Sequence, residues 1–401
     1  MNSDLLNQVD PRIAESVLMN VYNQRPLILI RGEGCVIWDD TGRKYLDLNA
    51  GMAVNILGHA HPAVVEAIKR QAELLIHVSN LYYSQPQLEL ARRLTELAFP
   101  SRVFFSNSGA EANEAAIKLA RKWGRRHRQG AYRIITAERS FHGRTLAVVT
   151  ASGNPAYSEP FQPLPDGFDH VPYGDIDALY AATTEQTAAI LLEPILGEGG
   201  VIPPPEGYLL KVRQWCDEQG MLLILDEVQT GICRTGRWFA HQHHGILPDV
   251  MTLAKGLAGG VPIGVCLASP RADVLGPGEH GSTFGGNPLA SAAALAVLAV
   301  AEQEALAEHA VEMGELLAET FQRLVGISEV RGMGLLRAVM FRRPVAKLFR
   351  ERAQAAGILI NALNDHTVRL APPLIINADQ IKQAGMVLRG ISETIEQEAG
   401  E

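Results

Sequence analysis

The sequence predicts an α/β protein: a large domain on a mostly parallel sheet, with a smaller α+β domain beside it. Three observations predict this. Between about residues 100 and 270, short aliphatic runs alternate with longer helical patterns, the signature of βαβ units. Each of those runs ends in a polar or glycine-rich segment. Beyond residue 287 the alternation stops, and long helices mix with short strands. A chain of 401 residues is also longer than one small core organises, so two domains are expected.

Taken in order, residues 34–38 and 45–48 flank a turn at 39–42 and read as a hairpin that packs onto the smaller domain. The runs at 102–106, 132–137, 188–193, 221–226 and 250–254 read as strands of the large sheet. In an open parallel sheet ligands gather at the carboxyl ends of the strands, so the segments that follow these runs can converge. Residues 276–288 are rich in turn formers, and Asn287-Pro288 supplies a cap followed by a residue preset for a first helical turn. The boundary is expected there, giving 51–287 as the large domain, 288–401 as the smaller one, and 1–50 as a segment packing with the latter. After it come a long Ala/Leu helix, a strand-like stretch near 330–341, a helix near 346–356, short strands around 358 and 368, and a final amphipathic helix.

Composition narrows the function. Hydrophobic residues make up 47% and charged residues 20%, values of a folded globular chain. The formal net charge of −8 argues against nucleic acid or an anionic membrane as partner, because both reward clustered Lys and Arg. Small molecules fit better. Cys35, Cys216, Cys233 and Cys266 form no C-x-x-C pair and read as reduced thiols. The opening Met1-Asn2-Ser3-Asp4 carries no secretory pattern, so a cytoplasmic protein is expected. The apolar run 289–301 is shorter than the ~20 residues that span a bilayer, and reads as a buried helix.

Lys255 is the only charged residue between Asp249 and Arg271. Desolvation at an apolar strand end lowers an amine's pKa, which suits a nucleophile or Schiff-base former. A lysine that reaches solvent along its stem is the equally open alternative. Asp226 closes the run 221–226, where a carboxylate can hold a pyridine nitrogen protonated or simply cap a turn. Ser108-Gly109-Ala110-Glu111 opens a helix whose buried face runs Ala112, Ala115, Ala116, Leu119 and Trp123. It fits a capping box, and the same geometry makes an anion site.

Phe141 and Val228 are candidates for the two faces of a flat ring, or ordinary core. Gln229 can donate to a ring oxygen or to a turn. Arg144 and Arg369 are cations in uncharged surroundings, suited to bidentate carboxylate binding unless merely solvated. Glu198, in Gly197-Glu198-Gly199-Gly200, can neutralise one of them or stand exposed on its loop. The cluster His241, His243 and His244 lacks accompanying Cys or carboxylate ligands at metal spacing and reads as helix surface, with no metal expected.

Together, Ser108-Gly109-Ala110, Phe141-His142-Gly143-Arg144, Asp226-Glu227-Val228-Gln229, Thr252-Leu253-Ala254-Lys255 and Ser282-Thr283-Phe284-Gly285-Gly286-Asn287 resemble the class III (ω-amino) aminotransferases over nearly the whole chain. The resemblance implies a fold type I homodimer with the active site shared at the subunit interface. It implies pyridoxal 5'-phosphate held covalently on Lys255, Asp226 at the pyridine nitrogen, and Phe141 and Val228 flanking the ring with His142 among the contacts. Ser108, Gly109 and Ala110 would hold the phosphate with Thr283 from the neighbouring subunit, and Gln229 would meet the ring hydroxyl. Arg144, with Ser282 nearby, would take the α-carboxylate of the amine substrate. Arg369 would take that of the 2-oxo acid, and Glu198 would pair with it in the first half-reaction. The stretch Leu335-Leu336-Arg337-Ala338-Val339-Met340-Phe341 departs from the family's small residues and acid. The cofactor motifs do not separate an N-acylated ornithine from ornithine, 4-aminobutyrate, succinyl-diaminopimelate or a carrier-linked lysine. A non-catalytic cofactor-binding module also remains open.

Overall fold

Strands β1 (Leu29–Glu33), β2 (Val36–Asp39) and β3 (Lys44–Asp47) form an antiparallel meander in the computed structural model, which describes residues 17–22 and 27–398. The opening residues on which the absence of a secretory pattern was read lie outside these. The β2–β3 turn is tied by Asp39, whose Oδ1 accepts from the backbone of Thr41 and Arg43.

The central sheet has seven strands: β4 (Arg102–Ser106), β5 (Arg133–Ala137), β6 (Phe168–Val171), β7 (Thr187–Leu192), β8 (Leu222–Asp226), β9 (Val250–Leu253) and β10 (Gly264–Ala268). Their order is β4-β10-β9-β8-β7-β5-β6. All neighbours from β9 to β6 pair in parallel, while β10 runs antiparallel to both β4 and β9. Every residue of β7 and β8 is buried, as expected when helices cover both faces of a parallel sheet.

The two-residue period of a strand sorts the side chains. Ile134, Ala189, Leu191, Leu222 and Ile224 pack with Ala115, Ala116, Leu119 and Trp123 of helix Gly109–His127. The alternate residues Ile135, Ile190, Leu192, Leu223 and Leu225 pack on the other face with Leu209, Val212 and Cys216 of helix Tyr208–Glu218.

Helix Pro288–Gln303 begins where Asn287-Pro288 predicts: Asn287 Oδ1 accepts from Ala290 N at 2.9 Å, and proline occupies the first turn. It buries Ala290, Ala294, Val297 and Leu298 in the largest apolar cluster, so the run at 289–301 is a core helix. No single helix among the described residues is long and apolar enough to cross a membrane. After helix Leu306–Gln322 come β11 (Ile327–Met333), β12 (Leu336–Phe341), helix Ala346–Ala355, β13 (Ile358–Leu359), β14 (Asn361–Ala362), β15 (Thr367–Leu370) and helix Ala378–Glu398. A third sheet has the order β11-β12-β15-β14, while β13 joins β3 in parallel and so ties the opening hairpin to the end of the chain.

Two predictions need correction. The sequence reading omits β6 and β10. The latter begins directly after the Lys255 turn, without the long crossover by which parallel strands are recognised. The histidine cluster is not helix surface either. His241 is fully buried, stacked on Phe239 at 5.7 Å, with Nδ1 3.2 Å from Glu227 Oε1. The cause is Glu227, which turns inward and accepts the backbone N–H groups of Ala240 and His241, each at 2.8 Å.

Candidate active site

The carboxyl ends of β4, β5, β7, β8 and β9 deliver their following residues to one cavity of about 390 Å³. Because β10 runs the other way, it is the segment before its start, Gly260 to Ile263, that reaches the same edge. Ser108, Gly109, Ala110, Phe141, His142 and Arg144 line it, together with Asp226, Val228, Gln229 and Lys255.

Asp226 lines the cavity and is nearly inaccessible. His142 Nδ1 lies 2.8 Å from its Oδ2, and Asn113 Nδ2 donates to the same oxygen at 2.7 Å. Val228 N donates to Oδ1 at 3.0 Å. Asn113 is fixed in turn, donating to the His142 carbonyl at 2.9 Å and accepting from Thr252 Oγ1 at 2.7 Å. A carboxylate held by this many donors keeps one orientation. Asn113 was not singled out from sequence. The signal was there, as the one amide on an alanine-rich buried helix face.

Lys255 opens the turn after β9 with φ +36°, a left-handed conformation costly for a residue with a Cβ. Burial lowers its pKa, the Arg369 charge adds to the effect, and Glu198, Glu193 and Asp226 oppose it. A lowered amine pKa leaves more of the free base, the nucleophilic form.

Helix Gly109–His127 points its first turn at the cavity. Ser108 Oγ accepts from Glu111 N at 3.2 Å, as a cap should. Glu111 does not reach back to Ser108 N, however; its Oε2 accepts from Asn107 N at 2.8 Å, one residue earlier than a capping box requires. First-turn N–H groups such as those of Gly109 and Ala110 have no partner within their own helix, so they can meet an anion. Gly109 has a second reason to be glycine: a Cβ there would stand 2.8 Å from Val228 Cγ1.

Arg369 is fully buried and Glu198 Oε1 accepts from its Nη1 at 2.5 Å. Gln229 Oε1 accepts from the same nitrogen at 3.1 Å, so Gln229 links this ion pair to the cavity wall. Met52 Sδ lies 3.3 Å from Arg369 Nη2. It is delivered by four successive residues of positive φ, Ala50 to Ala53, a conformation costing roughly 1–2 kcal/mol at each non-glycine residue. Asp47 anchors this turn, its Oδ1 accepting from Asn49 N and Ala50 N, both at 2.9 Å.

Ser282 lies at the rim, with its Oγ 3.4 Å from Asn107 Nδ2. Thr283 is exposed and does not line the cavity. Arg144 lies with its guanidinium over Tyr157 at 3.9 Å and Phe141 at 5.4 Å. Sequence reasoning passed over Tyr157 and Glu193. Glu193 is buried after β7, with Oε1 accepting from Phe141 N at 2.9 Å and Oε2 from Gly197 N at 3.0 Å. A carboxylate ending an otherwise apolar run, as Asp226 also does, was its signal.

Pyridoxal 5'-phosphate fits this donor set. An amine and an oriented carboxylate line one cavity, a helix N-terminus offers an anion site, and Phe141 and Val228 supply an aromatic and an apolar surface. Fold and site define a pyridoxal-phosphate-dependent transferase of fold type I. Residues 18–391 match the class-III aminotransferase family model, and the chain belongs to that family. It is 50% identical over 384 residues to the acetylornithine aminotransferase of Mycolicibacterium smegmatis, covering 95% of this chain and 97% of that one. Identity to the acetylornithine aminotransferase of Methanothermobacter thermautotrophicus is also 50%, over 92% of this chain and 95% of the relative. Among solved structures, ornithine aminotransferase from Toxoplasma gondii superposes with a TM-score of 0.93 at 34% identity, covering 98% of both chains. Acetylornithine aminotransferase from Elizabethkingia anophelis superposes with 0.84 at 36% identity, covering 96% of this chain and 98% of that one.

Proposed function

We propose that this protein moves the δ-amino group of N-acetylornithine to 2-oxoglutarate, giving N-acetylglutamate 5-semialdehyde and glutamate, as a cytoplasmic step of arginine biosynthesis. The observation that carries this reading is the contrast between two arginines. Arg144 is open to a carboxylate, while Arg369 is covered by Glu198. The α-carboxylate of the amine substrate takes the open address, and the α-carboxylate of the 2-oxo acid takes the one that can be uncovered. The roughly 50% identity to acetylornithine aminotransferases supports the choice of amine.

Pyridoxal 5'-phosphate, when bound, supplies an aldehyde that exchanges its oxygen for the amino group and a ring that takes up an electron pair. The chain's own residues do the rest. Lys255 would hold the cofactor covalently, and its Nζ, once free, would take the proton from the amine-bearing carbon and return it at the cofactor's aldehyde carbon. Asp226, fixed by His142 and Asn113, keeps a proton on the ring nitrogen. Ser108, Gly109 and Ala110 bind the phosphate, and Gln229 contacts the ring hydroxyl. Arg144 with Ser282 orients the amine substrate. Glu198 releases Arg369 when the 2-oxo acid arrives.

Thr283 completes the phosphate site from a second copy of the chain in a homodimer. Its exposure beside Phe284, together with the exposed Leu81, Tyr82 and Tyr83 that Asn80 links to the same loop, supports that assignment. We assign 51–287 to the large domain and 288–401, with 1–50, to the smaller one. Steady-state rates with N-acetylornithine, ornithine, 4-aminobutyrate and N-succinyl-diaminopimelate test the reading. N-acetylornithine should give the highest kcat/KM, and faster turnover of free ornithine would overturn it.

A further inference from the structure

We propose that Tyr157 is the positioning residue of the amine-substrate carboxylate site, holding the Arg144 guanidinium flat with its donor edge free. The inference rests on the reading of Arg144 given above and extends it to a residue with no assigned role. The Arg144 guanidinium carbon lies 3.9 Å from the centroid of the Tyr157 ring, closer than to Phe141 at 5.4 Å. The two rings stand edge to face, 6.0 Å apart with an 89° interplanar angle, and make a corner in which the guanidinium sits. Among the described residues Arg144 makes no hydrogen bond or ion pair, and its close contacts are the rings of Tyr157 and Phe141. That is unusual for an arginine beside a cavity lined by Glu193 and Asp226. A guanidinium held over a ring by its carbon, with no hydrogen bond to other side chains, leaves its N–H donors for a ligand, as bidentate carboxylate binding requires.

The ring is itself held in place relative to the cofactor-binding loop. Tyr157 belongs to the short helix Pro155–Ser158, whose cap Asn154 accepts from Ala156 N at 3.2 Å. The residue before that cap is bonded to the loop carrying Phe141 and Arg144: Gly153 N donates to Ser140 Oγ at 3.1 Å, and Arg139 N donates to the Gly153 carbonyl at 2.7 Å. Ring and guanidinium therefore ride on one clamped unit. A free arginine has many rotamers to lose on binding, and a stacked one has lost most of them beforehand.

The test uses the cofactor-loaded protein with Tyr157→Leu and Tyr157→Phe. Tyr157→Leu should raise KM for N-acetylornithine about 5- to 30-fold, the scale of a cation–π contact that is partly desolvated. KM for 2-oxoglutarate and the kcat should stay near wild type. Tyr157→Phe should restore the wild-type KM, because the ring face and not the hydroxyl carries the effect. Calorimetric titration with N-acetylnorvaline, which has the carboxylate and acyl group without the reactive amine, should weaken in Tyr157→Leu by the same factor. An unchanged amine KM in Tyr157→Leu, a parallel rise in both KM values, or a Tyr157→Phe variant as impaired as the leucine one would overturn the inference. A wild-type protein that does not turn over N-acetylornithine sinks the proposed function and this inference with it. Normal wild-type turnover with an unmoved variant sinks the inference alone.

Discussion

Arg369 and Glu198 form a buried ion pair, 2.5 Å from Nη1 to Oε1, in which the arginine is fully inaccessible and the glutamate retains about a fifth of its side-chain exposure. Burial pushes the Glu198 carboxyl upward, but the charges of Arg369, Lys255 and Arg144 outweigh this and hold it below its ordinary value. The glutamate therefore stays ionised and is the partner free to swing outward. Removing one member of a buried charge pair typically costs about 2–5 kcal/mol. Arg369→Ala should raise KM for 2-oxoglutarate at least about 30-fold, the lower end of that range, and leave KM for the amine nearly unchanged. Equal loss for both substrates in steady-state assays would refute the role.

Lys255→Ala should remain folded, with a melting curve close to wild type, and should neither attach the cofactor covalently nor turn over. Borohydride reduction of the wild-type holoenzyme followed by peptide mapping should place the label on Lys255. Label on another lysine would contradict the assignment.

Gly109→Ala sets a methyl group 2.8 Å from Val228 Cγ1, at the junction of the phosphate site and the apolar wall for the ring. Overpacking of this kind costs about 1–3 kcal/mol. Part of that should appear as a cofactor dissociation constant raised roughly tenfold, read by equilibrium dialysis. Wild-type cofactor affinity in the variant would show that this close approach is not needed.

Glu193 gives a pH signature. Burial pushes its carboxyl up to about 7, with Asp226 adding to the rise, while His142 and the N–H groups of Gly197 and Phe141 oppose it. In the unfolded chain it titrates at the ordinary value of 4.5. Between those values the native state binds more protons than the unfolded one, so Glu193's contribution to stability is fully present below about 4.5 and lost as pH rises through 7. Glu193→Gln lacks this titration. Urea unfolding of the cofactor-free proteins should therefore show the stability of wild type, relative to the variant, falling between pH 4.5 and 7. A relative stability that rises over that interval would count against the buried charge.

Local pattern was legible where neighbours in sequence decide the outcome. The runs of β4, β5, β7, β8 and β9 were visible because each is largely apolar and followed by a polar break. The cap at Asn287-Pro288 was visible because a side chain bonding three residues ahead needs no distant partner. Asn113, Tyr157 and Glu193 were passed over for the opposite reason. Each acts on groups 13 to 139 residues away, such as Arg144, Phe141, Asp226 and Thr252, and nothing near them in sequence names that partner.

The sequence by itself determined which chemical groups the protein carries and at which strand ends they stand, because hydrophobic periodicity and turn-forming residues act over a few positions. Tertiary structure decided which of those groups meet. It placed antiparallel β10 between β4 and β9, turned Glu227 inward to bury His241, covered Arg369 with Glu198, and set Arg144 over an aromatic ring. Those outcomes depend on the summed packing of segments far apart in the chain, a quantity that no local window contains.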